Sequence, residues 1–124
     1  MNNIEKHNLA ISLLSQHMNW ANIPHSVEKD SEYDFIVNGN KKIKVFCNYS
    51  GAPKIKLKKD YQFSDDVFYM AVKPTKKNNV GYTSLGIDGE NIDSVIVHFK
   101  GNDSFINLDL DKMKPTNLIR RFSN

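Results

Sequence analysis

Residues 33–48 read YDFIVNGNKKIKVFCN, and the fold turns on how this stretch is paired. Asn38-Gly39-Asn40 is a strong tight-turn signal, because Asn and Gly tolerate a positive φ. The flanking runs, 33–38 and 41–48, carry Phe, Ile and Val and read as the two strands of a hairpin. Side chains alternate along a strand. Ile43, Val45 and Cys47 therefore point one way, and Lys42, Lys44, Phe46 and Asn48 the other. One side of the second strand is apolar and the other is basic.

Upstream, Ile4, Leu9, Ile11, Leu13, Leu14 and Met18 recur at roughly three and four residues, which predicts a helix over 4–19. Asn2 or Asn3 can cap it, and Glu5 sits where the helix dipole favours an anion. Pro24 ends the helix and biases Ile23 to extended backbone, so 21–27 reads as a short strand or arm. Downstream, Lys54-Ile55-Lys56-Leu57-Lys58 alternates strictly and reads as a strand. A loop with Asp60, Ser64, Asp65 and Asp66 precedes Val67–Val72, a continuous apolar run expected as a central strand that Pro74 stops. Residues 73–79 read as a polar loop. Strands are expected near 80–85, 94–99 and 104–108, and a terminal helix over 111–122 with Pro115 in its first turn. The order helix, strands, helix predicts a single α+β domain over 1–124, with a mixed central sheet flanked by helices.

The chain has 124 residues, a net charge of +3 and a sequence pI of about 8.9. That balance permits a nucleic-acid partner without demanding one. Cys47 is the only cysteine, so an intrachain disulfide is excluded and a cytoplasmic location is expected. The first residues lack the pattern of a signal peptide, and no apolar run approaches the ~18 residues of a membrane span, so no membrane partner is expected.

If strands 41–48 and 54–58 are neighbours, Lys42, Lys44, Lys54, Lys56 and Lys58 share one sheet face. Such a face can follow a phosphate backbone and release counterions. It also suits a solvated surface that discourages edge-to-edge pairing. Phe46 among these lysines can stack on a base.

Other constellations carry less. His7, His17, His25 and His98 show no metal-ligand spacing and read as surface residues. Cys47 reads as a small core residue. GYTSLGIDGE at 81–90 lacks the spacing of a phosphate-binding loop. Asp88, Glu90 and Asp93 read as a solvated turn, and Asp109 and Asp111 as a strand end. Arg120 and Arg121, with Lys112 and Lys114, suit a helix C-terminus or a second phosphate contact.

The stretches SEYDFIVNGN, KKIKVFCNYS, KIKLKK and DDVFYMAVKP, following the first helix, resemble the PD-(D/E)XK nuclease superfamily. Its small group I intron endonuclease-like and archaeal-resolvase-like members are the nearest in pattern. The resemblance covers roughly residues 4–74. It implies a restriction-endonuclease-like fold and a divalent Mg²⁺ or Mn²⁺ ion held by carboxylates, with a lysine acting on the nucleophile. Carried across, Asp34 matches the metal-binding aspartate, but the second carboxylate falls on Phe46 and the catalytic lysine on Asn48. The helix carboxylate falls near Glu5. Lys44 shares the face of Phe46 and can stand in for the lysine; nothing replaces the carboxylate.

The sequence thus points to a catalytically degenerate nuclease-like protein, with no confident catalytic residue beyond the remnant Asp34. It is expected to bind nucleic acid, DNA before RNA, through Lys42, Lys44, Phe46, Lys54, Lys56 and Lys58, without a cofactor. The alternatives are a protein-binding inhibitor, immunity or regulatory protein on the same fold, and a divergent Mg²⁺/Mn²⁺ nuclease using Asp34 and Lys44. Dimers are common in the family, which makes a second copy a further candidate partner.

Overall fold

The computed structural model describes residues 1–29, 32–75, 80–98, 101 and 103–123. Helix α1 spans Asn3–Trp20. Its start is a capping box: Asn2 accepts from the Glu5 N–H at 2.8 Å, and Glu5 reaches back to the Asn2 N–H at 3.5 Å. Its end is set by Asn22, at φ 57°, and by the Ile23 N–H bonding back to the Met18 carbonyl at 2.9 Å. Ala10, Leu13, Leu14 and Met18 form its buried face, while Ile4 at the first turn is 73% exposed.

The strands follow as β1 (His25–Val27), β2 (Phe35–Val37), β3 (Lys41–Cys47), β4 (Lys54–Lys58), β5 (Val67–Pro74) and β6 (Tyr82–Asp88). A 3₁₀ helix, Gly89–Val95, leads into β7 (Ile96–His98). Then come β8 (Phe105–Asp109), a 3₁₀ turn at Leu110–Lys112, β9 (Lys114–Pro115) and α2 (Leu118–Phe122). Among the described residues they form a six-stranded mixed sheet in the order β1-β2-β3-β5-β6-β9 and a three-stranded antiparallel sheet in the order β4-β8-β7.

The β2–β3 hairpin turns at Asn38 and Gly39, at φ 52° and 81°. The Asn38 side chain also donates to the Phe122 carbonyl at 2.8 Å, tying the turn to α2. Strand β3 runs parallel to β5, so the chain between them must cross over. Residues 48–66 make that crossing, and they carry β4 into the second sheet.

Strand β5 is buried on both sides, which its unbroken apolar run anticipates. Phe68, Met70 and Val72 join Ile43, Val45, Leu14, Met18, Leu118 and Phe122 in a core under the two helices. Val67, Tyr69 and Ala71 join Leu108, Val95, Leu110 and Met113 in a second core under the small sheet. The layers are therefore helices, mixed sheet, small sheet. Each fully buried Leu, Ile or Met side chain contributes about 1.5–3 kcal/mol of transfer free energy.

Two sequence expectations are corrected. The terminal helix over 111–122 is divided: only Leu118–Phe122 is α-helical, and Pro115 pairs with Leu85 as a strand residue instead of opening the helix. Residues 89–95, expected as a turn leading into a strand, form a 3₁₀ helix that buries Ile92 and Val95. Both helices lie over one face of the mixed sheet, as the sequence reading of a mixed sheet with helices expects, and the small sheet covers the other face. Residues 76–79 of the expected polar loop, and Phe99 of the expected 94–99 strand, lie outside the described residues.

Candidate functional site

Asp34 sits where β2 meets the chain that leaves the sheet. Its backbone is fully used: its N–H bonds the Ile43 carbonyl at 2.7 Å, and its carbonyl accepts from Glu28 N–H at 2.8 Å. Its carboxylate is buried. Oδ2 accepts from the Val45 N–H at 2.7 Å and lies 3.7 Å from Lys44 Nζ. Oδ1 lies 3.1 Å from His7 Nε2. A carboxylate offers only acceptors, so the His7 proton on this side is on Nε2. Asp34 thus clasps α1 to β3, and it satisfies a strand N–H beyond the end of β2.

A cleft of about 300 Å³ opens beside this clasp, lined by Lys6, His7, Lys44, Phe46, Cys47 and Tyr61 among others. Burial pushes the Tyr61 phenol well above its ordinary range, with smaller contributions from Tyr69 and Asp34. Burial also pushes the Cys47 thiol up, against lesser opposing effects of a backbone hydrogen bond at Tyr49 and of Lys6. Cys47 packs against the core under the helices.

This donor set does not fit a divalent metal. Hard cations are held by several oxygen ligands. Here a single carboxylate is engaged by a backbone N–H, an imidazole and an ammonium group. Among the described residues no three His, Cys, Asp or Glu side chains are grouped as a metal seat. Glu5 is taken up by the helix cap, and the helix residue that meets Asp34 is His7.

Of the other expected site residues, Phe46 lines the cleft beside Asp34, and Asn48 lies beyond the far end of β3. Asn48 closes the turn after β3: its N–H bonds Val72 O at 2.7 Å, and its amide donates to Ala52 O at 3.0 Å. Four strand residues put it about 13 Å beyond Lys44. Phe46 is not an exposed platform. It lies between the two sheets, stacked on Tyr69 at 6.3 Å and tilted against Tyr61 at 5.8 Å between ring centroids.

The single five-lysine face is corrected as well, because β3 and β4 belong to different sheets. Lys42 is paired with Asp66 at 3.1 Å, and Lys44 with Asp34. The Lys42 ammonium is raised and the Asp66 carboxyl lowered, in each case by hydrogen bonding, to Asp66 for the first and foremost to Ser64 for the second. Lys54, Lys56 and Lys58 remain, exposed along the outer face of the small sheet, while Ile55 and Leu57 point into the second core. Strand β8 repeats the alternation. Ile106 and Leu108 are buried, and Phe105, Asn107 and Asp109 turn outward opposite Lys58, Lys56 and Lys54. Lys56 Nζ lies 4.0 Å from the centroid of the Phe105 ring.

No family model, curated protein or solved structure matches the chain. The functional reading therefore rests on this geometry.

Sequence reasoning missed His7 and Phe105. His7 shares a helix face with Ala10, Leu14 and Met18, at spacings of three, seven and eleven, so a half-buried partner-seeking histidine was legible there. His17 and His25 are also half-buried and bonded, to Tyr82 and Ser15, rather than free at the surface. Arg121 is likewise committed. It pairs with Asp88 and lies 3.9 Å over the Phe68 ring.

Proposed function

We propose that the protein is a nucleic-acid-binding module on a nuclease-like α+β scaffold without metal-dependent chemistry. The row Lys54, Lys56, Lys58 carries this reading. Alternate residues on a strand stand about 6.8 Å apart, so three like charges line one edge of an open sheet face. Among the described residues no carboxylate forms an ion pair with them, although Asp109 faces Lys54 in register. Their natural complement is a phosphate backbone. The clasped Asp34, which among the described residues belongs to no metal-like grouping of acids, histidines and cysteines, supports binding without cleavage.

The test compares the wild type with a Lys54→Gln/Lys56→Gln/Lys58→Gln variant in a fluorescence anisotropy titration at ~50 mM salt. A Lys29→Gln/Lys112→Gln/Lys114→Gln variant of equal net charge serves as control. Loss of affinity in the first and retention in the control is the expected result. Equal loss in both would reduce the effect to net charge.

A second reading, a protein-binding module, is favoured by one observation. Trp20, a residue type enriched at interface hot spots, is 77% exposed near a groove of about 730 Å³ between α1 and β6. Capture of one stoichiometric protein that Trp20→Ala abolishes, with no nucleic acid retained, would establish it.

A further inference from the structure

We infer that the outer face of the small sheet is a platform for a single-stranded polynucleotide, with Phe105 stacking on a base and Lys54, Lys56 and Lys58 following the phosphates. This rests on the proposed nucleic-acid reading and names its substrate class.

Edge lysines alone have an ordinary explanation. Strand β4 is the edge of its sheet, and lysines there discourage pairing with another chain. That role needs no aromatic neighbour. Phe105 is on the adjoining strand, on the same outward face, and only partly covered. The inward positions of β8 are filled by Ile106 and Leu108, so the second core does not require a phenylalanine at 105. The ring is instead placed beneath a cation, with Lys56 Nζ 4.0 Å from its centroid. A base stacking on the ring would displace that ammonium by a few ångströms, toward the phosphate linked to the same nucleotide.

The rest of the face suits a strand with splayed bases. Asn107, directly opposite Lys56, offers an amide donor and acceptor at the centre of the platform. Val97 of β7 pairs with Asn107 in register and extends the surface with an apolar contact. A duplex keeps its bases stacked inside and presents phosphates first, so it gains from the lysines and not from Phe105. A single strand gains from both, because every base has a π-face.

The experiment uses a fluorescein-labelled single-stranded DNA and the same sequence as a duplex, titrated with the full chain at ~50 mM salt. The wild type is expected to hold the single strand at least five-fold more tightly. Phe105→Ala should weaken single-strand binding about 5- to 150-fold, the range of one lost stacked base, and leave duplex binding within two-fold. Because Phe105 is partly buried, a Phe105→Trp variant in a Trp20→Phe background guards against a folding artefact. It should retain single-strand affinity, and its fluorescence should be quenched on binding. Equal affinity for the two forms, an unchanged Phe105→Ala, or an unquenched Trp at 105 overturns the platform while lysine-dependent binding survives. Absence of binding to either form overturns the nucleic-acid reading itself.

Discussion

Replacing Asp34 with alanine should cost the fold more than any exposed substitution. The carboxylate accepts from the Val45 N–H at 2.7 Å, beyond the last residue pair of β2 and β3. A buried N–H left without an acceptor costs about 1–3 kcal/mol. Lys44, whose side chain is 14% exposed, also loses the Asp34 carboxylate at 3.7 Å. A wholly buried ion pair broken on one side costs about 3–5 kcal/mol, but Lys44 can turn into the adjoining cleft, so the added cost is smaller. The sum is about 2–4 kcal/mol, or ~8–16 °C in Tm for a domain of this size. Asp34→Asn keeps an oxygen for Val45 and should lose about half as much. Thermal melts followed by circular dichroism, with urea unfolding to check an unchanged m value, give both numbers. Melting of Asp34→Ala within about 2 °C of the wild type, or of Asp34→Asn below Asp34→Ala, would refute the clasp.

Mg²⁺ or Mn²⁺ should leave the wild-type Tm unchanged, since a ligand bound only by the folded state would raise it; a rise missing in Asp34→Ala would restore a metal seat and the nuclease reading. Burial pushes the Tyr82 phenol up to about 12. The folded state therefore holds this proton more tightly than the unfolded chain, whose tyrosines titrate near ~10, and the contribution is complete below ~10 and lost as pH rises from there to about 12. Urea unfolding across that window should show a decline that Tyr82→Phe makes shallower, the raised Tyr61 and Tyr69 phenols supplying the rest; identical pH profiles would contradict it. Gly89→Ala should destabilise by about 1–3 kcal/mol, because a Cβ there meets the backbone carbonyls of Ser64 and Val67. A neutral outcome in a chemical melt would show that the 64–67 loop yields. Arg121→Ala breaks an ion pair whose partners are both largely exposed, so it should cost at most about 1 kcal/mol plus the lost stacking on Phe68.

The local fold was legible where one residue type leaves few choices. Asn38-Gly39 dictates the hairpin turn, the apolar 67–72 run dictates a strand covered on both faces, and Asn2 with Glu5 dictates the helix start. Strand adjacency was not legible. Alternation in 41–48 and 54–58 gives the faces of each strand correctly but says nothing about which sheet each joins, and the crossover sends β4 to β8. The five-lysine face failed for that reason, and Phe46 is half-buried against the second core instead of standing among the lysines. The C-terminal segment misled because Leu118 and Phe122 keep helical spacing and Met113 is an apolar residue upstream, yet Met113 buries in the other core. Phe105 gained meaning only once pairing set it beside Lys56 and Lys58.

The salt dependence of single-strand binding tests the central claim most directly. Each phosphate neutralised by a lysine adds about 0.7 to the slope of log K against log salt for a single strand. Lys54→Gln/Lys56→Gln/Lys58→Gln should therefore lower the magnitude of that slope by about 2, with affinity at ~50 mM salt falling in parallel. An unchanged slope and affinity would place the nucleic acid elsewhere on the molecule, and absence of wild-type binding would contradict the account outright.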